Sequence, residues 1–215
     1  MELNNPLYKN QGIHLISTIF TVDNGVVKVL LIKRKNKPYK DMWALVGGAL
    51  YNNEEVEYGL RREILEKTGI SDIDLYFSDV FSKVDRSPLC RMIALSYIGF
   101  IDYLKISFLK ETLKTSNAMW FDINKIPDLA YDHNDIFYKS LDSLRELVNK
   151  TDILKSLFTD TFTIPELQNV YETILNKRLD RRNFRKKLLN DNLIVDTYLT
   201  KIYLGNKPAK LYKFR

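Results

Sequence analysis

The chain is predicted to fold as an α/β domain followed by a small basic module of helices and a β-hairpin. Three observations predict it. Strand-like and helix-like segments alternate through residues 1–150, as in a mixed sheet covered by helices. The composition, 45% hydrophobic and 28% charged over 215 residues, suffices for buried cores. The positive charge is unevenly placed: residues 1–151 carry 20 Lys and Arg against 20 Asp and Glu, whereas residues 152–215 carry 13 against 7 and so supply the whole net charge of +6. A short basic segment of this kind predicts contact with a polyanion.

Each element has its own local reason. Residues 13–22 and 26–34 are β-rich runs joined by Asp23, Asn24 and Gly25, and an Asn-Gly between apolar runs predicts a hairpin because both residues accept positive φ. Residues 35–41 form a polar loop with Pro38, and residues 43–50 read as a third strand. A helix over 54–68 is ended by Gly69, suited to the left-handed C-terminal position. Residues 75–83 and 92–102 are strands flanking the polar loop at Asp85 to Pro88, and 118–123 is a short strand. The amphipathic run 136–148 turns Ile136, Leu141, Leu144 and Val148 inward.

The organisation changes near residue 151, which divides the chain into domains 1–150 and 151–215. Thr163 and Glu166 form a capping box before a helix ending near Asn176, with Pro165 in the first turn, where a missing N–H costs nothing. Leu167, Val170, Tyr171 and Ile174 line its apolar face. Asp180 caps a second helix over 181–190, whose Phe184 and Leu188 share one face while Arg182, Arg185 and Lys186 project on another. Two strand-like pieces, 193–198 and 211–214, enclose a basic tip at 201–210. A helix–turn–helix followed by a hairpin fits a winged helix, in which the second helix enters the major groove. Arg181, Arg182, Asn183, Arg185 and Lys186 are the candidate groove residues, with Asn able to read adenine and Arg guanine. Lys201, Lys207 and Lys210 are candidate phosphate contacts of the wing.

In the first domain, Gly48, Glu54, Arg62, Glu63, Glu66 and Gly69 stand at fixed offsets within 48–70. Carboxylates at i, i+3 and i+4 of a helix share one face and can hold Mg²⁺ through hard oxygen ligands beside a pyrophosphate. Here Lys67 takes the third position. A cation there repels a metal by about 4 kcal/mol per unit charge pair at ~4 Å and an effective dielectric of ~20. Lys67 is instead a candidate phosphate contact, and Arg62 is positioned to brace the loop through Glu54. Arg86 and Arg91, beside the polar loop, are further ligand candidates. Trp43 reads as core and Tyr51 as a possible stacking surface. His14 and His133 read as isolated core or surface residues.

These residues resemble the Nudix hydrolase box: Gly, five residues, Glu, seven residues, then Arg-Glu-apolar-x-Glu-Glu-x-Gly-apolar. Gly48, Glu54, Arg62, Glu63, Ile64, Glu66, Gly69 and Ile70 match, and Lys67 departs from it. The resemblance implies an α/β/α Nudix sandwich with a mixed sheet, and a ligand containing a nucleoside diphosphate joined to another group. The basic module after it resembles the winged helix of Nudix-related transcriptional regulators of the NrtR type, and the two together cover nearly the whole chain. That resemblance implies a homodimeric regulator of double-stranded operator DNA, with ADP-ribose or a related NAD metabolite as effector and a pentose or sugar phosphate next. Glu63 and Glu66 remain a possible Mg²⁺ site, no cofactor is required, and the box is expected to be vestigial. The rival expectation is an active ADP-ribose or nucleoside-diphosphate pyrophosphatase with an accessory domain; a weaker third is a module for RNA or a protein partner. No run of about 18 apolar residues predicts a membrane-spanning helix, the N-terminus lacks the order of a signal peptide, and Cys90 is the single cysteine, so a cytoplasmic protein is expected.

Overall fold

Two long strands, β1 (Gly12–Asp23) and β2 (Val26–Arg34), pair antiparallel and carry the first domain. Asn24 at φ 49° and Gly25 at φ 76° make the turn between them in the left-handed conformation the Asn-Gly pair allows. The computed structural model describes residues 5, 7, 9–103, 115–150, 154, 155, 158, 161–202 and 208–215.

Residues 43–50, expected as one strand, form two: β3 (Trp43–Ala44) pairs with β2, and β4 (Val46–Ala49) pairs with β1. The break falls at Leu45, whose amide leaves the ladder and donates to His133 Nδ1 at 3.1 Å. Helix α1 (Val56–Thr68) follows, with Glu55 at its N-cap and Gly69 at φ 81° closing its C-terminus. It begins later than expected because Glu54 is drawn into side-chain contacts with Arg62 rather than into the first turn. Strand β5 (Asp74–Phe81) pairs antiparallel with β6 (Met92–Phe100), which runs parallel to β1. Strand β7 (Thr115–Asp122) pairs with β2.

The strand period of two sends alternate residues of β1 to opposite faces. Leu15 and Ile19 pack with Leu60 and Ile64 of α1. Ile16 and Phe20 pack with Ile136, Phe137, Leu141 and Leu144 of α2 (His133–Lys150). The sheet therefore lies between two helices, an α/β/α sandwich.

In the second domain, α3 (Ile164–Leu175) carries the capping box of Thr163 and Glu166, and α4 (Arg181–Asn190) is capped by Asp180 accepting from the Asn183 amide. Strands β8 (Ile194–Lys201) and β9 (Ala209–Phe214) make the hairpin that follows. The apolar core does not stop at the domain boundary. Leu167, Val170 and Ile174 of α3 belong to the same buried cluster as Val27, Leu144 and Val148. Polar contacts fasten the junction: Asn169 Nδ2 donates to the Gly25 carbonyl at 2.7 Å and Arg145 Nε to the Ile174 carbonyl at 2.9 Å. The hairpin turn and α2 thus both address α3. No helix among the described residues is long and apolar enough to cross a membrane.

Candidate ligand pocket and nucleic-acid interface

Helix α1 presents a chain of charges to the end of β4. Arg62 clamps Glu54 through Nε at 2.8 Å and Nη2 at 2.6 Å, and its Nη2 also donates to the Ala49 carbonyl at 3.1 Å. Its guanidinium lies 3.9 Å from the centre of the Tyr51 ring, and Glu54 accepts from the Tyr51 amide at 2.7 Å. The hydrogen bonds from Arg62 hold the Glu54 carboxyl down to about 2, and the same pairing raises the Arg62 pKa. Loop and helix are one braced unit.

Glu63 is buried between two cations. Its Oε1 accepts from Arg62 Nη1 at 2.8 Å, and its Oε2 lies 2.9 Å from Lys67 Nζ. The Lys67 ammonium also donates to the Gly47 carbonyl on β4. Glycine at 48 is what permits this closeness, since a Cβ there would collide with the Glu63 carboxylate. Glu66 is half exposed, with Oε2 3.6 Å from Arg62 Nη1. A divalent cation needs open carboxylate lone pairs, and both Glu63 oxygens already face positive charge. Among the described residues no three His, Cys, Asp or Glu side chains are grouped to hold a metal. The possible Mg²⁺ site at Glu63 and Glu66 therefore does not fit this arrangement. Lys67 itself sits where such an ion would compensate Glu63.

Beside Lys67 opens a small cavity of about 120 Å³ lined by His14, Arg34, Gly47, Lys67 and His133, with Ile32 and Ala44 beneath. The two histidines that read as isolated are neighbours, their ring centres 6.1 Å apart. The Tyr131 ring packs near both histidines and 4.6 Å from that of Tyr39, with the Arg34 guanidinium 4.9 Å above it. No spacing in the sequence marks His14, Arg34, Tyr131 and His133 as a group; only pairing of β1 with its neighbours and the start of α2 unites them. Arg86, a ligand candidate from its loop, is buried, and both ends of its fork meet Asp132 at 2.9 and 2.8 Å. Arg91 is tied to the Ser82 and Lys83 carbonyls at 2.8 and 2.9 Å. Both arginines thus brace the loop and the start of α2, and Trp43 packs edge-on against Phe121 in the core.

Burial, then Lys67 and Arg86, lowers the His14 pKa to about 3; burial, then His14, pushes that of His133 well below its ordinary value. Both rings are neutral at physiological pH, whereas in an unfolded chain each takes a proton near about pH 6.5. Below that pH the unfolded state binds more protons, so stability is full above it and declines as pH falls toward the folded values. These are the chain's only two histidines. Stability is expected to fall between about pH 7 and pH 5 by up to ~1.4 kcal/mol per pH unit and histidine, moving thermal unfolding to lower temperature. A flat profile over that window in scanning calorimetry would contradict the neutral buried pair.

In the second domain, α4 buries Phe184 and Leu188 and exposes Arg181, Arg182, Asn183, Arg185, Lys186 and Lys187. Among the described residues the side chains of Arg181, Arg182, Arg185 and Lys186 enter no hydrogen bond or ion pair. The wing lysines differ: Lys210 Nζ lies 2.7 Å from Asp196 across the hairpin, and Lys201 Nζ 3.2 Å from Glu166. Exposed pairs of this kind contribute about 0–1 kcal/mol, so a phosphate can displace them. Lys207 lies outside the described residues.

An α/β/α sandwich with a Nudix-type helix, joined to a winged helix with an exposed basic face, defines the class of Nudix-related transcriptional regulators. Residues 13–141 match the NUDIX domain profile, and residues 154–214 match the NrtR DNA-binding winged helix domain. The chain belongs to this NrtR family. It is 32% identical over 200 residues to the ADPR responsive transcriptional repressor NtrR of Acinetobacter baylyi, covering 91% of this chain and 79% of that protein. Over 109 residues it is 39% identical to the ADP-ribose pyrophosphatase of Methanocaldococcus jannaschii, 51% of this chain and 63% of that protein. The fold matches Shewanella oneidensis NrtR bound to a 27mer DNA with TM-score 0.78 and 24% identity, over 94% of this chain and 93% of that one.

Proposed function

We propose that this protein is a cytoplasmic transcriptional repressor whose Nudix domain binds ADP-ribose without cleaving it, and whose winged helix binds operator DNA. One observation carries the non-hydrolytic half: Lys67 lies between Glu63 and the Gly47 carbonyl, where metal-assisted attack on a pyrophosphate requires a divalent ion. A ligand that is not consumed can hold a switch. In this reading the diphosphate lies beside Arg62 and Glu66, with Lys67 behind them as the counter-ion of Glu63 and with Arg86 and Arg91 holding the neighbouring loop. The ADPR responsiveness of the Acinetobacter relative supports the choice of effector. In this reading a homodimer presents two α4 helices to a two-fold operator. Occupancy of the Nudix domain reaches α3 through the shared core and shifts the DNA-binding domains, which requires unequal affinity of the effector for the two arrangements.

The test is calorimetric titration with ADP-ribose in Mg²⁺, with the nucleotide recovered and analysed afterwards. Saturable binding with the ligand returned intact is expected, along with loss of a promoter-duplex gel shift on its addition. Steady production of AMP would establish the pyrophosphatase alternative instead.

A further inference from the structure

The cavity at the mouth of Lys67 holds a buried donor that the fold does not use. His133 is 2% exposed, and its Nε2 has no hydrogen-bond partner among the described residues. Its other nitrogen is committed: Nδ1 accepts from the Leu45 amide at 3.1 Å. A neutral imidazole with an accepting Nδ1 carries its proton on Nε2. The ring is thus a fixed, uncharged N–H donor in the wall of the cavity, and a buried donor left unpaired is costly enough to select for a ligand that pairs it.

The surrounding charge indicates which ligand group suits it. Lys67 is compensated by Glu63, and Arg86 by Asp132. Among the described residues Arg34 is the lining cation without a carboxylate partner, and its Nε and Nη2 are turned to the Pro38 carbonyl at 3.1 and 2.9 Å. That leaves little to balance a phosphate monoester. The His14 ring and the side chains of Ile32 and Ala44 instead line the cavity with uncharged surface. At about 120 Å³ the cavity is well below the ~300 Å³ of a small-molecule pocket, so it admits one end of a ligand only.

We propose that His133 is a specificity-determining residue for the effector, donating Nε2–H to an oxygen of an uncharged sugar group at the effector's end. This deepens the effector reading above and rests on it. Because His133 is the first residue of α2, whose other end holds α3 through Arg145, the group that reads the sugar also begins the element that reaches the DNA-binding domain.

The experiment compares ADP-ribose with ADP, which lacks the terminal sugar, by titration calorimetry on the full chain. The wild type is expected to prefer ADP-ribose by about tenfold or more. His133→Asn keeps an acceptor for the Leu45 amide but withdraws the distal donor, so the preference should vanish while ADP binds as before. His133→Gln, which can return an N–H to that position, should recover part of it. Equal affinity of the wild type for the two nucleotides, or an Asn variant that keeps the preference, overturns the assignment while leaving ADP-ribose as an effector. If neither nucleotide binds the wild type, the effector reading fails with it. Should the Asn variant not fold, His133→Gln decides: a preference smaller than that of the wild type supports the assignment, and an undiminished one overturns it.

Discussion

Lys67→Glu is expected to make this chain depend on a divalent ion for its stability. In the native arrangement Glu63 is nearly inaccessible, with Arg62 against one oxygen and the Lys67 ammonium 2.9 Å from the other. Removing one partner of a buried pair costs about 3–5 kcal/mol, a large part of the ~5–15 kcal/mol that holds a domain folded. Placing a second carboxylate there adds repulsion to the loss. In chelator the variant should therefore unfold at a temperature lower by roughly 10 °C, given ~2–4 °C per kcal/mol for a chain of this size. Millimolar Mg²⁺ or Mn²⁺ should restore much of that, because an ion binding only the folded state stabilises it by mass action. Lys67→Met is the control: it loses the cation without gaining a ligand and should stay destabilised with or without metal. The same rescued variant is the place to look for slow ADP-ribose cleavage. If Lys67→Glu unfolds at the wild-type temperature, and metal does not move it, Lys67 does not serve as the internal counter-ion of Glu63.

The anomaly at Lys67 was legible as a wrong charge in a specific motif; its solution was not. A candidate phosphate contact from its place in the motif, the side chain turns inward because Gly47 presents a carbonyl to it from β4, a relation set by pairing between β4 and β1. Arg86 repeats the lesson. From its loop it reads as a ligand candidate, but its partner, Asp132, lies just before α2, and nothing local in the sequence announces an ion pair of that span. The histidine pair is harder still, since His14 and His133 meet only when β1 and the start of α2 are side by side. Local features were read well for the opposite reason. The capping box of α3, the Asp180 cap of α4 and the Asn24-Gly25 turn are decided within a few residues, by hydrogen bonds and φ preferences that composition reveals. Residues 43–50 fell between the two cases. Their β character was plain, but the switch of partner at Leu45 depends on His133 far along the chain.

The second large effect concerns α4. Arg182→Ala and Arg185→Ala together are expected to abolish the operator shift at protein concentrations that saturate it for the wild type. A side chain that reads a base or a phosphate contributes about 1–3 kcal/mol, so losing two lowers affinity by roughly 10²–10⁴-fold. The slope of log affinity against log salt should become shallower by about one for each of them that contacts a phosphate. The fold should not suffer, and the helix itself says why. Arg181 and Arg182 stand in the first turn of α4, at the positive end of the helix dipole, with no acidic residue in that turn and Asp180 as the cap. A cation there is unfavourable by about 0.3–1 kcal/mol, and both substituted side chains project into solvent. Replacing Arg182 should thus leave the unfolding temperature unchanged or raise it slightly, and ADP-ribose titration should be unaffected. Loss of DNA binding joined to equal or greater stability separates a recognition residue from a structural one. Lys201→Ala with Lys210→Ala should cost less, because each lysine already faces a carboxylate that a phosphate must displace. If the wing pair proves the more damaging, or the α4 pair leaves affinity and salt slope unchanged, α4 is not the helix that enters the groove.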